Sequence, residues 1–279
     1  MTSKVCFITG ASKGFGRILV QQLLAKGYKV AASSRTIDGF DQEMKHHPHF
    51  LPVEIKNLAN FPEVHRAIQT TISAFGSLDV VINNAGYGQV GPFEETADEK
   101  IRRNFEVNVF GTMTVVKAAL PQMRAQKAGK IVNFSSTAGF YGFPLSSVYV
   151  AAKHAIDGFS ESLNHELNPI GIKVMSVLPG NFRTNFLSAG SLQWADTNTI
   201  SEYDALREEQ RTNLTNGDKM QEGDPEKGMQ VVIEAIESDL MPIHLTLGSD
   251  AYLLREEKAE QIKEELVRWE KLAVQTDFD

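Results

Sequence analysis

The sequence predicts an α/β fold in which helices cover both faces of a doubly wound parallel sheet, giving three α/β/α layers. Short apolar runs alternate along the chain with segments of helical periodicity, as expected for successive β-α-β units. The run at residues 78–82 is nearly all apolar, and a strand with two apolar faces belongs in a parallel sheet covered on both sides. The run at residues 4–9 leads into a glycine-rich turn and then a helix.

Seven strands and several helices are predicted in chain order. The strands lie at residues 4–9, 28–33, 50–55, 78–82, 129–134, 172–178 and 243–247. The helices run from the glycine turn to Gly27, at 61–75, through Phe105 and Met113, from near Ser146 to Pro169, at 225–237 and at about 250–274. The polar segment at 187–224 has no predicted element, and so long a connection is more often functional or mobile than inert.

The composition is that of an ordinary globular protein and argues against several classes of function. The 279 residues carry a net charge of −7, which argues against a basic nucleic-acid-binding surface. The single cysteine, Cys6, precludes a disulfide framework. The histidines at 46, 47 and 49 lack nearby acids or thiols at zinc-site spacing, so we expect no metal. Without a signal peptide or an apolar run near 20 residues, we expect a cytoplasmic protein with no membrane partner.

The turn after the first strand has the form Gly10-x-x-x-Gly14-x-Gly16. A strand, a glycine turn and a helix in this order favour a site where the backbone approaches a pyrophosphate and the helix N-terminus faces its charge. The spacing differs from the usual G-x-G-x-x-G of dinucleotide folds. The alternative is a plain tight turn, but the order of the elements favours dinucleotide binding.

The residues after the second strand predict the choice of cofactor. A dehydrogenase that prefers NAD usually has an acid about 20 residues beyond the glycines, where it binds the ribose 2′-hydroxyl. Here Ser34 and Arg35 occupy this place, and their hydroxyl and guanidinium suit a 2′-phosphate. Lys13 in the glycine turn is a second cation that either reaches the same phosphate or stays solvated. The expected cofactor is NADP(H), preferred over NAD(H).

Four polar residues are candidates for the chemistry. Tyr149 and Lys153 are four residues apart in a helical run and therefore share a face. A nearby ammonium lowers the pKa of a phenol, which favours proton exchange near neutral pH, although an isolated match of this spacing is usually a surface pair. Asn108 lies inside a predicted helix, where a buried asparagine is either a structural bridge or part of a polar site. Ser136 follows the fifth strand, on the ligand side of the sheet, or is a plain turn residue.

Together these motifs resemble those of the classical short-chain dehydrogenase/reductases over nearly the whole chain. The matching positions are Thr9-Gly10-x-x-x-Gly14-x-Gly16, Asn83-Asn84-Ala85-Gly86, Asn108, Ser136, Tyr149-x-x-x-Lys153 and Pro179-Gly180 with Thr184. Their order and spacing agree with the family. The resemblance implies a Rossmann-like seven-stranded parallel sheet in a single NAD(P)-binding domain, residues 1–279. The domain would include a substrate segment at about 185–224 and a C-terminal helix at about 250–274.

The resemblance also implies roles for the four candidates. Tyr149 would be the general acid in reduction and the base in oxidation, and Lys153 would lower its pKa and hold the nicotinamide ribose. Ser136 would hydrogen-bond the reacting oxygen, and Asn108 would hold a water that links Lys153 to solvent. The implied reaction is hydride transfer between NADP(H) and a carbonyl or alcohol, with the protein supplying position and a proton.

The family pattern implies a cofactor site along one edge of the sheet. Its residues would be Gly10, Ser12, Lys13, Gly14, Phe15, Gly16, Ser34, Arg35, Asn57, Leu58, Asn84, Ala85, Gly86, Tyr149, Lys153, Pro179, Gly180, Phe182 and Thr184. Asn57 stands where many relatives have an aspartate near the adenine, and we expect this change to be tolerated.

The substrate is expected to be a medium-sized, largely apolar ketone, aldehyde or secondary alcohol. Six aromatic residues either line its pocket or pack the core, namely Phe140, Tyr141, Phe143, Phe182, Phe186 and Trp194. The alternative function is a catalytically idle protein that senses NADP(H) or binds partners, but such relatives typically replace the tyrosine or the lysine. A sugar epimerase of the extended branch is disfavoured, because its turn usually reads G-x-x-G-x-x-G.

Two surfaces are candidates for contacts with other protein chains. The resemblance implies a homodimer or homotetramer formed through the helices that include Asn108 and Tyr149. A second apolar face, on the last helix, consists of Ala259, Ile262, Leu266, Trp269 and Ala273. We expect this face to pack on its own domain, with a partner surface as the alternative.

Overall fold

The computed structural model describes residues 3–188 and 190–278. Its strands are β1 (Val5–Thr9), β2 (Lys29–Ser34), β3 (Phe50–Glu54), β4 (Val80–Asn83), β5 (Gly88–Val90), β6 (Gly129–Phe134), β7 (Ile172–Pro179), β8 (Leu192–Trp194) and β9 (His244–Leu247). Seven of them form a parallel sheet in the order β3-β2-β1-β4-β6-β7-β9. The direction of winding reverses between β1 and β4, and ligands of such sheets bind at the carboxyl ends of the strands there.

Helices cover both faces of this sheet, as predicted. They are α1 (Gly14–Ala25), α2 (Gln42–Lys45), α3 (Phe61–Phe75), α4 (Asp98–Phe105), α5 (Gly111–Gln126), α6 (Ser147–Leu167), α7 (Asp204–Gly217), α8 (Pro225–Glu237) and α9 (Ser249–Ala273). Helices α1 and α8 pack together on one face, and α3 and α5 pack together on the other.

The two faces of the sheet bury separate apolar clusters. Successive residues of β1 point to opposite sides, so Ile8 packs in the cluster that contains Leu23 and Ile233, while Phe7 packs in the cluster that contains Ile68. All five of these side chains are completely buried. Burial on both faces explains why the central strands read as continuous apolar runs rather than as alternating ones.

The helix ends follow from local sequence signals. Asn60 caps α3 by accepting a hydrogen bond from the Glu63 N–H at 3.1 Å, and Pro62 stands in the first turn. The helix ends at Gly76, whose φ of +88° is the left-handed conformation that a glycine cap adopts. Asp224 caps α8 in the same way, with Pro225 at its first position.

Two regions differ from the sequence-based expectations. The long helix expected around Asn108 is α4 and α5, joined by a π-helical turn at Glu106–Phe110. The segment at 187–224, predicted to have no regular element, contains β8 and α7, and β8 pairs in parallel with β5 as a small second sheet. Three-residue strands are too short to show a period, and α7 buries only Arg207 of its own residues, so it has no apolar stripe to recognise.

The C-terminal helix corrects a third expectation. In the described part of the chain, α9 buries Ala251 alone, and every residue from Ile262 to Phe278 is exposed. The helix is about 37 Å long at 1.5 Å per residue, and its second half extends beyond the elements that contact its first turns. The predicted packing of its apolar face on its own domain is therefore wrong. Among the described residues, no helix combines the length and the apolar character that crossing a bilayer requires.

The packing of α1 on the sheet gives a test of the core. Replacing Leu23, which is fully buried, with alanine should lower the free energy of unfolding by about 2–5 kcal/mol, because the lost apolar contacts leave a cavity. Leu240→Ala is the matched control, since Leu240 is 89% exposed and its loss should change stability by less than about 0.5 kcal/mol. Urea denaturation of both variants measures this, and equal effects would contradict the described packing.

Candidate active site

The carboxyl ends of β1 and β4 are joined by a set of hydrogen bonds that we call the β1–β4 clamp, formed by Thr9, Gly10, Asn84 and Ala85. The Thr9 hydroxyl oxygen accepts from the backbone N–H groups of Asn84 and Ala85 at 3.2 and 3.1 Å. The Asn84 amide donates to the carbonyls of Thr9 and Gly10 at 3.1 and 3.0 Å. The clamp holds the glycine turn against the segment 83–86 at the point where the winding of the sheet reverses.

Glycine is required at two positions of the turn that follows β1. A Cβ on Gly10 would stand 2.8 Å from the Ala85 Cα, and the φ of Gly10 is +64°. A Cβ on Gly16 would stand 2.4 Å from the Gly10 carbonyl oxygen and 2.6 Å from the Asn84 amide nitrogen. The glycines predicted to let a cofactor approach therefore also let the two strand ends approach each other.

The N-terminus of α1 has the properties of an anion site. The helix begins at Gly14, whose φ is +54°, and the preceding residue, Lys13, provides no side-chain cap. The N–H groups of a first helical turn attract negative charge when no side chain caps them. The glycine turn and this helix end therefore fit the pyrophosphate of a dinucleotide cofactor.

The residues predicted for a 2′-phosphate gather beside this turn. The Ser34 hydroxyl donates to the Ser12 hydroxyl at 3.1 Å, and Arg35 follows Ser34 with an exposed side chain. Partial burial and the nearby positive charge of Arg35 lower the pKa of Lys13. The two cations therefore lie close enough to interact. Lys13 also donates to the hydroxyl of Ser191 at 2.7 Å, a contact that links it to the segment 187–224.

Asn57 and Leu58, the two residues expected near the adenine, lie in the loop after β3. The Asn57 side-chain oxygen accepts from the Ala59 N–H at 3.0 Å, and the Glu63 carboxylate accepts from the Asn57 N–H at 3.3 Å. Leu58 is partly buried and lies next to Gly111, where a Cβ would meet it at 2.9 Å. The side-chain oxygen of Asn57 thus stabilises the loop by a hydrogen bond that an aspartate oxygen at the same position could also accept.

Tyr149 and Lys153 both lie on α6, and the Lys153 Nζ is 5.6 Å from the centre of the Tyr149 ring. Lys153 is buried, and its ammonium donates to the Phe134 carbonyl at 2.7 Å. Burial lowers the pKa of Lys153 to about 8. At neutral pH the side chain is therefore still mostly protonated.

The pKa of Tyr149 departs from the sequence-based expectation. Burial raises it to about 12, and the hydrogen bond with Ser136 opposes this rise. Lys153 was expected to lower it, but in the protein chain alone the desolvation of the phenolate outweighs any such effect. Ser136 precedes the short turn at Thr137–Gly139 and accepts from the Ala138 N–H at 3.2 Å. Its position at the end of β6 brings it to Tyr149.

Asn108 lies in the π-helical turn and is both a structural bridge and a neighbour of Lys153. Its side chain accepts from the Tyr87 N–H at 3.0 Å and donates to the Tyr87 carbonyl at 2.9 Å. A Cβ on Gly86 would stand 2.7 Å from the Asn108 oxygen and 3.5 Å from the Lys153 Nζ. Both side chains therefore meet at Gly86. A π-turn widens the helix locally, and such turns are frequent at functional sites.

Three residues that support the site were not predicted from the sequence. Asn104 is fully buried and accepts from the Asn108 amide at 2.9 Å. Ser135 donates to the Lys153 carbonyl at 2.9 Å and so fixes α6 to the end of β6. Asp250 accepts from the Asn181 N–H at 2.7 Å and fixes the loop after β7. A polar residue one helical turn before Asn108 was the available signal for Asn104, whereas Asp250 is distant in sequence and gave none.

Pro179 is the last residue of β7, and the loop after this strand contains Gly180, Phe182 and Thr184. The Phe182 ring lies edge-on to Phe15 at 5.4 Å and packs on the cluster formed by α1 and α8. Phe15 and Phe182 are therefore partly buried and belong to the edge of the hydrophobic core. Gly180 donates its N–H to the Leu247 carbonyl at 2.9 Å, and the Thr184 hydroxyl accepts from the Phe186 N–H at 3.2 Å. The loop therefore passes over the carboxyl ends of β7 and β9.

The six candidate pocket aromatics separate into groups. Phe186 lies 6.0 Å from Tyr149 between ring centres, so it borders the site. Phe140 stacks under the Arg255 guanidinium at 4.7 Å, and the Tyr141 hydroxyl donates to Glu257 at 2.7 Å, so these two contact α9. Phe143 packs on Tyr141 at 5.2 Å, Trp194 lies under Arg211 at 4.9 Å, and Phe182 is described above.

Comparison with known proteins places the chain in a family. The family model described as short chain dehydrogenase matches residues 4–193. The chain belongs to the short-chain dehydrogenase family.

Relatives of this short-chain dehydrogenase cover most of its length. An uncharacterized oxidoreductase of Schizosaccharomyces pombe is 36% identical over 95% of this chain and 89% of its own. A 3-ketodihydrosphingosine reductase of Bacteroides thetaiotaomicron is 37% identical over 75% of this chain and 72% of its own. The crystal structure of a short-chain dehydrogenase from Streptomyces avermitilis is 34% identical, covers 99% of this chain and 100% of its own, and has a TM-score of 0.90. Structures of this fold hold NADP in some cases and NAD in others.

In this short-chain dehydrogenase the segment 187–224 is tied to the loop after β5. The buried Glu95 carboxylate accepts from the Arg207 guanidinium and from the Ile200 N–H. Lys100 of α4 forms a 2.8 Å ion pair with Asp196. These contacts hold the segment 187–224 against the loop after β5 and against α4.

The burial of Lys153 predicts a pH-dependent stability. Its pKa is near 8 in the folded chain and about 10.5 when unfolded, so between these values the unfolded state binds more protons and stability rises with pH. Relative to Lys153→Met, the native chain should therefore gain about 2 kcal/mol of unfolding free energy between pH 7 and pH 9.5.

Urea denaturation at the two pH values measures this gain. The control is Lys117→Met, which removes an exposed lysine and should show no comparable pH dependence. A difference between the native chain and Lys153→Met that does not change with pH would contradict the burial of a charged Lys153.

Proposed function

We propose that the protein is an NADP(H)-dependent reductase or dehydrogenase that interconverts a ketone or aldehyde with an alcohol. The observation that carries this proposal is the convergence of Ser136, Tyr149, Lys153 and Asn108 beside the clamp that holds the glycine turn. A proton donor, a cation and a cofactor-sized cradle then share one edge of the sheet. In this proposal the whole chain is one domain, and the segment at about 185–224 forms part of the substrate site.

The proposed chemistry assigns each residue a proton or a hydrogen bond. Bound NADPH supplies the hydride for the carbonyl carbon. Tyr149, whose raised pKa keeps it protonated, gives its proton to the carbonyl oxygen, while Ser136 donates a hydrogen bond to the same oxygen. The protonated Lys153, whose Nζ lies 5.6 Å from the centre of the Tyr149 ring, stabilises the resulting phenolate. Asn108, which lies close to Lys153, offers this lysine a route for proton exchange. Oxidation of an alcohol uses the same groups in reverse.

The preference for NADP(H) rests on the charges beside the glycine turn. Arg35, Lys13 and the paired hydroxyls of Ser12 and Ser34 offer two cations and two polar groups, and no acid stands at the end of β2. A 2′-phosphate would relieve the repulsion between Lys13 and Arg35, whereas the 2′-hydroxyl of NAD would not.

The substrate we propose is a medium-sized, largely apolar carbonyl compound. Phe186 borders Tyr149, and Leu192 of β8 approaches Gly88 of β5, where a Cβ would meet the leucine at 2.7 Å. Leu192 lies in the segment 187–224 and Phe186 immediately precedes it, and both would give the substrate site an apolar wall. One relative is named a 3-ketodihydrosphingosine reductase, and a name that denotes a ketone substrate supports a carbonyl compound as the substrate class. We further propose a homo-oligomer in the cytoplasm, and the single, unpaired cysteine is in keeping with a reducing compartment.

Replacing Tyr149 with phenylalanine should lower kcat by about 100-fold or more, since the proton donor is lost while the ring remains. Activity is measured as NADPH oxidation with a panel of apolar ketones and aldehydes, and cofactor binding is measured separately by fluorescence. Tyr141→Phe is the matched control, because its hydroxyl bonds Glu257 on α9 and lies outside the proposed reaction.

Two outcomes would oppose the proposal. Full activity of Tyr149→Phe would refute the role of the phenol. Binding of NADPH by the native chain without turnover of any carbonyl would favour the alternative of a catalytically idle NADP(H) sensor.

Replacing Arg35 with alanine should weaken NADPH binding by about 10-fold or more and leave NADH binding nearly unchanged, because only the 2′-phosphate needs the guanidinium. Arg17→Ala is the control, since Arg17 is a nearby exposed arginine paired with Asp41 at 2.7 Å. Isothermal titration of both cofactors with each variant gives the comparison. Equal weakening of NADPH and NADH binding would contradict the assignment of Arg35 to the 2′-phosphate.

A further inference from the structure

The second half of α9 is an exposed helical arm, defined here as residues 259–273. Its apolar residues Ile262, Leu266 and Trp269 are 45%, 66% and 59% exposed. The first turns of α9 are held by Arg255 on Phe140 and by Glu257 on Tyr141, but the exposed stretch beyond them reaches Phe278. The arm is thus anchored to the fold at one end and uncovered along its length.

An uncovered arm of this composition calls for a partner. A helix of about 15 residues is marginal in water unless tertiary contacts cover its apolar face. Contiguous exposed apolar residues on a soluble chain mark an interaction surface. The ion pair between Glu260 and Lys263 at 3.0 Å supports the helix only weakly, since both groups are exposed.

The spacing of the apolar residues identifies the kind of partner. Positions 259, 262, 266, 269 and 273 are separated by three, four, three and four residues, which is the a/d pattern of a coiled coil. A period of 3.5 residues suits a second helix that follows the stripe along its length, rather than a sheet or a flat surface.

We propose that the arm pairs with the same arm of a second copy of this chain, as an antiparallel coiled coil related by a twofold axis. We propose the register in which Leu266 lies opposite Trp269 of the second copy. In this register Ile262 lies opposite its Ala273, so large residues face smaller ones. The flanking residue Lys263 then faces Glu270 of the second copy, and symmetry makes this contact twice. The other flank pairs Glu265 with Leu272 and brings no like charges together.

The charges disfavour the other arrangements. A parallel pair would place Lys258 beside Lys263 of the second copy and Glu265 beside Glu270, which are repulsive contacts at both flanks. A surface of anionic lipid is disfavoured because residues 255–278 carry more acidic than basic side chains. This pairing uses none of the residues of the helices that contain Asn108 and Tyr149, so it is an additional interface.

A charge exchange tests both the pairing and its direction. In the full-length chain, Lys263→Glu alone and Glu270→Lys alone should each weaken the association of arms by about 10-fold or more, because each creates two like-charge contacts. The double variant Lys263→Glu/Glu270→Lys should restore it. Sedimentation equilibrium over a range of concentrations measures the association constants. Circular dichroism checks the folding of each variant, which should be unchanged because both substituted positions are exposed.

Three results would overturn the proposal. Tighter association of both single variants would indicate the parallel arrangement. A double variant as weak as the single ones would show that Lys263 and Glu270 do not meet. An unchanged mass distribution in Leu266→Glu/Trp269→Glu, which removes the apolar seam at two exposed sites, would show that the arms do not associate.

Discussion

The structure depends on the hydrogen-bonded contact between the ends of β1 and β4. Thr9 and Asn84 each bond the backbone of the other strand, and the contact is possible because Gly10 and Gly16 have no Cβ. This clamp lies where the winding of the sheet reverses, so it sets the distance between the glycine turn on one side and the segment leading to Gly86 on the other. The cradle for a cofactor and the polar group around Lys153 are therefore positioned by the same contact.

Burial has opposite consequences for the two central residues of the site. It lowers the pKa of Lys153 and raises that of Tyr149, which in both cases favours the uncharged form. The protein offsets the burial of the ammonium with the Phe134 carbonyl and holds α6 in place through Ser135. In the chain alone the Tyr149 phenol therefore keeps its proton. The Lys153 ammonium, which would stabilise the phenolate once that proton is transferred, already lies beside it.

Much of the fold followed from the sequence, because its signals are local. The helices at 61–75 and 225–237 and the strand at 129–134 have the predicted bounds, since caps, prolines and glycines mark their ends. The features that were missed depend on tertiary contacts. The π-turn contains Asn108, whose side chain bonds the distant Tyr87 backbone, and β8 is a strand by virtue of its pairing with β5. The exposure of the arm is visible only once the extent of the fold is known. The candidate site was named largely in advance from the motif spacing, while its supports, Asn104 and Asp250, needed the structure. The roles of the site residues remain predictions.

We propose that this short-chain dehydrogenase catalyses hydride transfer to a carbonyl carbon at the edge of the sheet beside Tyr149. The most direct test supplies NADPH that carries deuterium at the transferred position of its nicotinamide, together with a panel of apolar ketones, and analyses the products by mass spectrometry. The expected product is an alcohol with one deuterium on the former carbonyl carbon. Bound NADPH that labels no product from any ketone or aldehyde would contradict it.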